Sequence, residues 1–180
     1  MVAFQTFQAV IMACLMIGVA FSVPIFKRDA VTVLSDLKTI GKNLETLDSN
    51  ILKFDGTRSK AVPLSESASA VMRDLDKTII DTNKSAAFEP TDSVTVTKAS
   101  AALEPTILRS LNDISAKHSI IQSANQGGVV FGRLASLRIL TDQLARALEK
   151  RVTPTNASNI ASITSDVDSA YSSAIALYLT

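Results

Sequence analysis

Ser115 and His118 stand three residues apart. On a helix that spacing sets a hydroxyl and an imidazole on one face, the first two parts of a nucleophile-base pair. The orienting acid is missing, because Asp113 lies five residues before His118 and off that face. A histidine at the edge of a core accounts for His118 without chemistry. Asp74-x-Asp76 and Asp166-x-Asp168 resemble metal-binding pairs on paper. On a helix, however, residues two apart point to nearly opposite sides and do not converge on one ion. His118 is the only histidine, which excludes multi-histidine metal sites. There is no G-x-S-x-G, no phosphate-cradling glycine loop and no H-E-x-x-H. The pattern therefore predicts no catalytic residue, no metal ligand and no cofactor, and a protein that is not an enzyme.

The elements carrying these residues read as helices. From Asp29 the apolar positions run Ala30, Val33, Leu37, Ile40, Leu44, Leu47, Ile51 and Phe54. Steps of three and four place them on one stripe of a long helix, ended by "DGTR" from Asp55. A second helix is expected from Pro63 to Asn83, with Leu64, Ala68, Val71, Leu75 and Ile79 on its stripe. "KSAAFEPTDS" reads as a loop, with Asp92 or Ser93 as the next N-cap. A third segment spans about Val94 to Ala124, with Ala99, Leu103, Ile107, Leu111, Ile114, His118 and Ile121 on its stripe, and Pro105 must kink or split it. After "NQGG" a fourth helix carries Val130, Leu134, Leu137, Thr141, Leu144, Leu148 and Val152. Thr153 before Pro154 starts a fifth, with Ile160, Ile163, Val167, Ala170, Ala174 and Tyr178. Only "SVTVT" hints at a strand, and it is too short for a sheet. The expected fold is all-α, an antiparallel bundle of about five amphipathic helices.

The chain opens differently. Ala9 to Phe21 is uncharged and apolar, too short to span a bilayer at about 20 residues. It has the length of a signal-peptide core, with small residues at Ala20 and Ser22. This predicts a signal peptide over residues 1–22 and a propeptide over 23–28 ending in the dibasic pair Lys27-Arg28. A single domain over 29–180 follows. The one cysteine, Cys14, lies in the leader, so helix packing rather than a disulfide must hold the domain together. Removing Lys27 and Arg28 from the 18 basic residues leaves 16 against 17 acidic, a net charge of about −1. That balance gives no nucleic-acid footprint and no basic membrane patch. Beyond Arg28 the aromatic residues are Phe54, Phe88, Phe131, Tyr171 and Tyr178, which is few for sugar or base stacking. Asn83-Lys84-Ser85 and Asn156-Ala157-Ser158 are N-glycosylation sequons. The stripes themselves fit either a filled core or an elongated apolar cavity between facing helices.

"RDAVTVLSDLKTIGKNLETLDSNILKFDG", "AALEPTILRSLNDISAKHSII" and "VDSAYSSAIALY" together resemble the fungal hydrophobic surface-binding protein A family, which includes cell-wall galactomannoproteins. The resemblance runs from Asp29 to about Tyr178. It implies a secreted five-helix protein that binds fatty acids or other lipids in a central apolar cavity. It also implies two alternatives: an adaptor that adsorbs to hydrophobic surfaces and recruits a secreted hydrolase such as a cutinase, or a structural cell-wall mannoprotein. No Ser/Thr-rich stalk or hydrophobic tail follows Leu179-Thr180, so a released or loosely wall-associated protein without a transmembrane anchor is expected. With such a cavity, Leu37, Ile40, Leu44, Leu75, Ile79, Leu111, Ile114, Leu137, Leu144, Ile163 and Val167 are the mid-helix positions expected to line it. His118 and Thr141 fall on apolar stripes and carry groups that suit a lipid head.

Overall fold

The structure is a computed structural model that describes residues 26–179, with side chains from residue 30 onward. The signal peptide and the Lys27-Arg28 cleavage site expected from the sequence lie outside what is described, apart from the backbone of residues 26–28. Among the described residues there are seven helices and no strand: α1 (Phe26–Lys53), α2 (Arg58–Lys84), α3 (Pro90–Ala101), α4 (Glu104–Ala116), α5 (His118–Ser123), α6 (Gly127–Glu149) and α7 (Pro154–Ala176). No described helix is long and apolar enough to cross a membrane.

The α1 stripe is realised residue for residue: Ala30, Val33, Leu37, Ile40, Leu44, Leu47, Ile51 and Phe54 are all buried. Gly56 then turns the chain with φ +90, a backbone state that L side chains rarely adopt. Helix α2 starts at Arg58, a turn and a half before Pro63, so that proline lies inside the helix rather than opening it. Pro90 opens α3 behind Glu89, which moves the helix start ahead of Asp92 and Ser93. "SVTVT" is helical, with Val96 fully buried. Pro105 does split the third segment: it occupies the first turn of α4, where its missing N–H costs nothing. Lys117 makes a second break, so one expected helix becomes α3, α4 and α5. Thr153 and Pro154 open α7 as expected.

Helix α1 packs on α2, α2 on α6, α6 on α7, α7 on α3 and α4, and these two return to α1. Counting the broken α3–α4–α5 arm as one rod, five rods close a ring. That closure explains the interior. In a regular ring of five touching rods each axis lies about 0.85 of the interaxial distance of about 8–10 Å from the centre, against about 0.7 for four rods. Five helices therefore leave an axial space that small aliphatic side chains fill only in part.

Polar contacts tie the ends. Phe88 N–H donates to the Arg151 carbonyl at 2.6 Å, and the Arg151 guanidinium to the Asn83 carbonyl at 2.7 Å. At the opposite end, Lys117 Nζ donates to the carbonyls of Leu52 and Phe54, both at 2.9 Å, closing the C-terminus of α1.

Candidate functional site

The axial space is divided into two apolar cavities. The first holds about 820 Å³ of atom-free space, including its open side, between α1, α2, α4, α6 and α7. The second holds about 550 Å³, counted in the same way, between α1, α2, α3, α4, α6 and α7. The space within them that a water-sized sphere can occupy is only about 90 and 50 Å³, against about 300–1,000 Å³ for small-molecule pockets, so a long ligand requires the ring to widen around it. Leu44, Ile107 and Tyr171 line both, which makes them neighbouring chambers sharing one waist.

Nine of the eleven apolar residues expected from the stripes lie on these walls. Leu44, Leu111, Ile114 and Leu137 line the first chamber. Ile40, Leu44, Leu75, Leu144, Ile163 and Val167 line the second, as does the half-buried Thr141. Leu37 is 1 % exposed but packs in the core away from both chambers, and Ile79 is half-buried against that core. His118 is on neither wall. Its ring meets Tyr178 edge-on with centroids 5.1 Å apart, and its Nε2 lies 3.3 Å from Gln122 Nε2. Those contacts keep it at the end of the bundle. Among the described residues no group of three or more His, Cys, Asp or Glu is placed to hold a metal ion.

Tyr171 at the waist was not on the expected stripe. The series through Val167 continues equally well to Ala170 or to Tyr171, and the larger side chain takes the interior at 4 % exposure. Its neighbour is the Thr141 hydroxyl, but burial dominates and pushes the phenol up to about 12. The phenol is therefore neutral at any physiological pH. Tyr178 is also pushed up to about 12 by burial, and its Oη donates to the Ile114 carbonyl at 2.7 Å.

Polar groups on the walls are few. Ser110 and Gln126 belong to the first chamber, with Ser65 and Arg133. Ser110 is committed to Asp48, a buried carboxylate that also receives Arg109 Nε at 2.8 Å. Arg133 donates Nη1 only to the Met72 sulfur, at 3.6 Å. Ser65, Gln126 and Arg133 lie on helices far apart in the chain or outside every apolar series, so periodicity gave no sign of them.

The sequons are also placed. Asn83 is exposed at the last turn of α2. Asn156 is half-buried in the first turn of α7, with Nδ2 donating to Thr153 Oγ1 at 2.8 Å.

Fold and walls together define an all-α bundle with two narrow apolar chambers in its interior. Residues 30–150 match the family model described as hydrophobic surface binding protein A, and the chain belongs to that family. Among solved structures it is similar to AFMP4P in complex with palmitic acid, with 37% identity and a TM-score of 0.82, over 83% of this chain and 99% of that one. It also shares its fold with ligand binding domain 1 of the Penicillium marneffei MP1 protein complexed with arachidonic acids. There the identity is 14% and the TM-score 0.78, over 84% of this chain and 99% of that one. Ligand binding domain 2 of the same MP1 protein, complexed with multiple arachidonic acids, gives 12% and 0.76, over 83% and 96%. A search of the curated proteins finds no match.

Proposed function

We propose that this protein is a non-enzymatic carrier that binds a fatty acid in the two chambers of its helix ring. The observation that carries this is the shared waist: Leu44, Ile107 and Tyr171 line both apolar spaces, so one acyl chain can pass from one to the other as the ring widens around it. Each buried methylene contributes about 0.8 kcal/mol, so a long chain offsets the packing that a ring of five helices leaves unmade. The palmitic acid complex of the 37% identical AFMP4P supports the choice of ligand. On this account Leu44, Leu111, Ile114 and Leu137 hold one half of the chain, and Ile40, Leu75, Leu144, Ile163 and Val167 the other. The protein acts outside the cell, after removal of residues 1–28, either released or loosely associated with the wall. Asn83, exposed at the end of a helix, is the better placed glycan acceptor.

Native mass spectrometry tests this. The protein mixed with palmitate should hold discrete palmitate adducts that are lost on denaturation. A protein that stays bare at a tenfold excess of palmitate would refute the reading.

A second reading follows from the family description and from the outer surface. Val31, Leu52, Val129 and Ile139 are each more than half exposed. In that reading the folded bundle adsorbs to hydrophobic solids and presents a hydrolase to them. Salt-resistant retention on hydrophobic beads, unchanged by saturating palmitate, would favour it over the carrier.

A further inference from the structure

The two chambers carry opposite charge. Arg133 is the one charged residue on the first wall, and Glu104 the one charged residue on the second. Glu104 has a structural reason to be where it is: it stands in the first turn of α4, where a carboxylate answers the positive end of the helix. Arg133 has none. Among the described residues no acid pairs with it, and its sole polar contact is the weak one to Met72 Sδ. It is half-buried on α6, facing the α2 seam, and exposed Val129 lies one turn before it on the same wall. A half-buried arginine with five N–H donors and no paired anion among the described residues offers its donors to an acceptor.

The other polar groups of that chamber sharpen the assignment. Ser110 is spent on Asp48, and Tyr171 lies deep at the waist beside Thr141. The side chains of Ser65 and Gln126 make no hydrogen bond among the described residues, and both share the wall with Arg133.

Resting on the fatty-acid reading, we propose that Arg133 is the head-group anchor of the cavity: the ligand is an anionic single-chain amphiphile whose carboxylate sits on the Arg133 guanidinium, and whose tail runs past Ile107 and Tyr171 toward the chamber bearing Glu104. The orientation follows from charge. A carboxylate in an apolar space is costly unless paired, and the opposite direction would bring it to Glu104.

The test compares palmitate with 1-hexadecanol, which has the same chain and no charge, on wild type, Arg133→Gln and Arg133→Lys. The expected result is a loss of about tenfold or more in palmitate affinity for Arg133→Gln, the range of a charge-assisted hydrogen bond, with hexadecanol changed less than about twofold. Arg133→Lys should recover part of the palmitate affinity. Equal losses for both ligands, or no loss for either, would overturn the anchor while leaving the carrier reading intact. Wild type binding neither ligand would overturn the carrier reading itself, and the anchor with it. A measurement on the unaltered protein guards against a misfolded variant. The carboxyl resonance of bound [1-13C]palmitate should titrate below its ordinary range beside a guanidinium. A midpoint raised above that range would place the head in apolar surroundings and overturn the anchor.

Discussion

Ser110 donates its hydroxyl to Oδ1 of Asp48 at 3.0 Å, linking a wall residue of the first chamber to a carboxylate buried between α1 and α4. Arg109 takes the other oxygen at 2.8 Å, so two adjacent residues of α4 hold one acid of α1. The cavity wall is thus fixed by a polar contact behind it. Ser110→Ala leaves a buried carboxylate short of a donor and should lower stability by about 1–2 kcal/mol, read from urea unfolding. An unchanged midpoint would mean the contact contributes nothing.

Asp113 belongs to the same cluster. Burial, and then the nearby Asp48 charge, hold its carboxyl above its ordinary value of 3.8. A raised acid keeps its proton longer in the folded state than in the unfolded one. Its cost to stability is therefore absent below the ordinary value, grows as pH rises through the folded value, and stays at higher pH. Asp113→Asn should raise the melting temperature at pH 7 and leave it unchanged near pH 3. A gain of equal size at both would contradict the cause given.

Ala68 lies on the wall of the first chamber with 6 % exposure. Ala68→Phe puts a ring into space that the fold leaves empty. Palmitate affinity should fall at least tenfold, by calorimetric titration, while the unfolding midpoint holds or rises because a void is filled. A folded variant that binds palmitate as wild type does would remove the first chamber from the binding site.

Tyr171 separates the chambers, and Tyr171→Ala should merge them. The ligand-free variant is expected to lose about 3–5 kcal/mol, as for other large aromatic truncations. It should also regain more stability on adding a long fatty acid than wild type does, visible as a larger ligand-induced shift in melting temperature. An equal or smaller shift would show that the side chain does not divide one continuous space.

Much of this architecture was written in the chain. Eight apolar positions from Ala30 to Phe54, in steps of three and four, are all buried, seven on α1 and Phe54 just past its end. Pro105 marked a real break, because proline removes a donor and clashes with the preceding turn, whereas Pro63 is carried within α2 and marks none. Lys117 gave no such sign: it ends α4 by reaching back to the carbonyls of Leu52 and Phe54, a contact across 63 and 65 residues that local pattern does not carry. The same limit governed the site. Stripe positions identified the inner face of each helix but not which inward residues border space and which fill it. Leu37 and Leu44 look alike in sequence, yet only Leu44 borders a chamber. That difference comes from ring closure, as do the wall positions of Arg133, Gln126 and Ser65.

The central claim is that the acyl chain enters the ring rather than coating its outside. Isoleucine side chains report both places. Ile51, Ile107, Ile114 and Ile121 line the first chamber, and Ile40 and Ile163 the second, whereas Ile80 and Ile139 are exposed on the surface. With isoleucine δ1-methyls labelled, a stearate bearing a nitroxide near its tail should be added at one equivalent and the methyl spectrum recorded. The account predicts bleaching of the chamber-lining methyls, with Ile80 and Ile139 retained. Loss of Ile80 and Ile139 with the chamber signals intact would contradict it and place the lipid on the outside of the bundle.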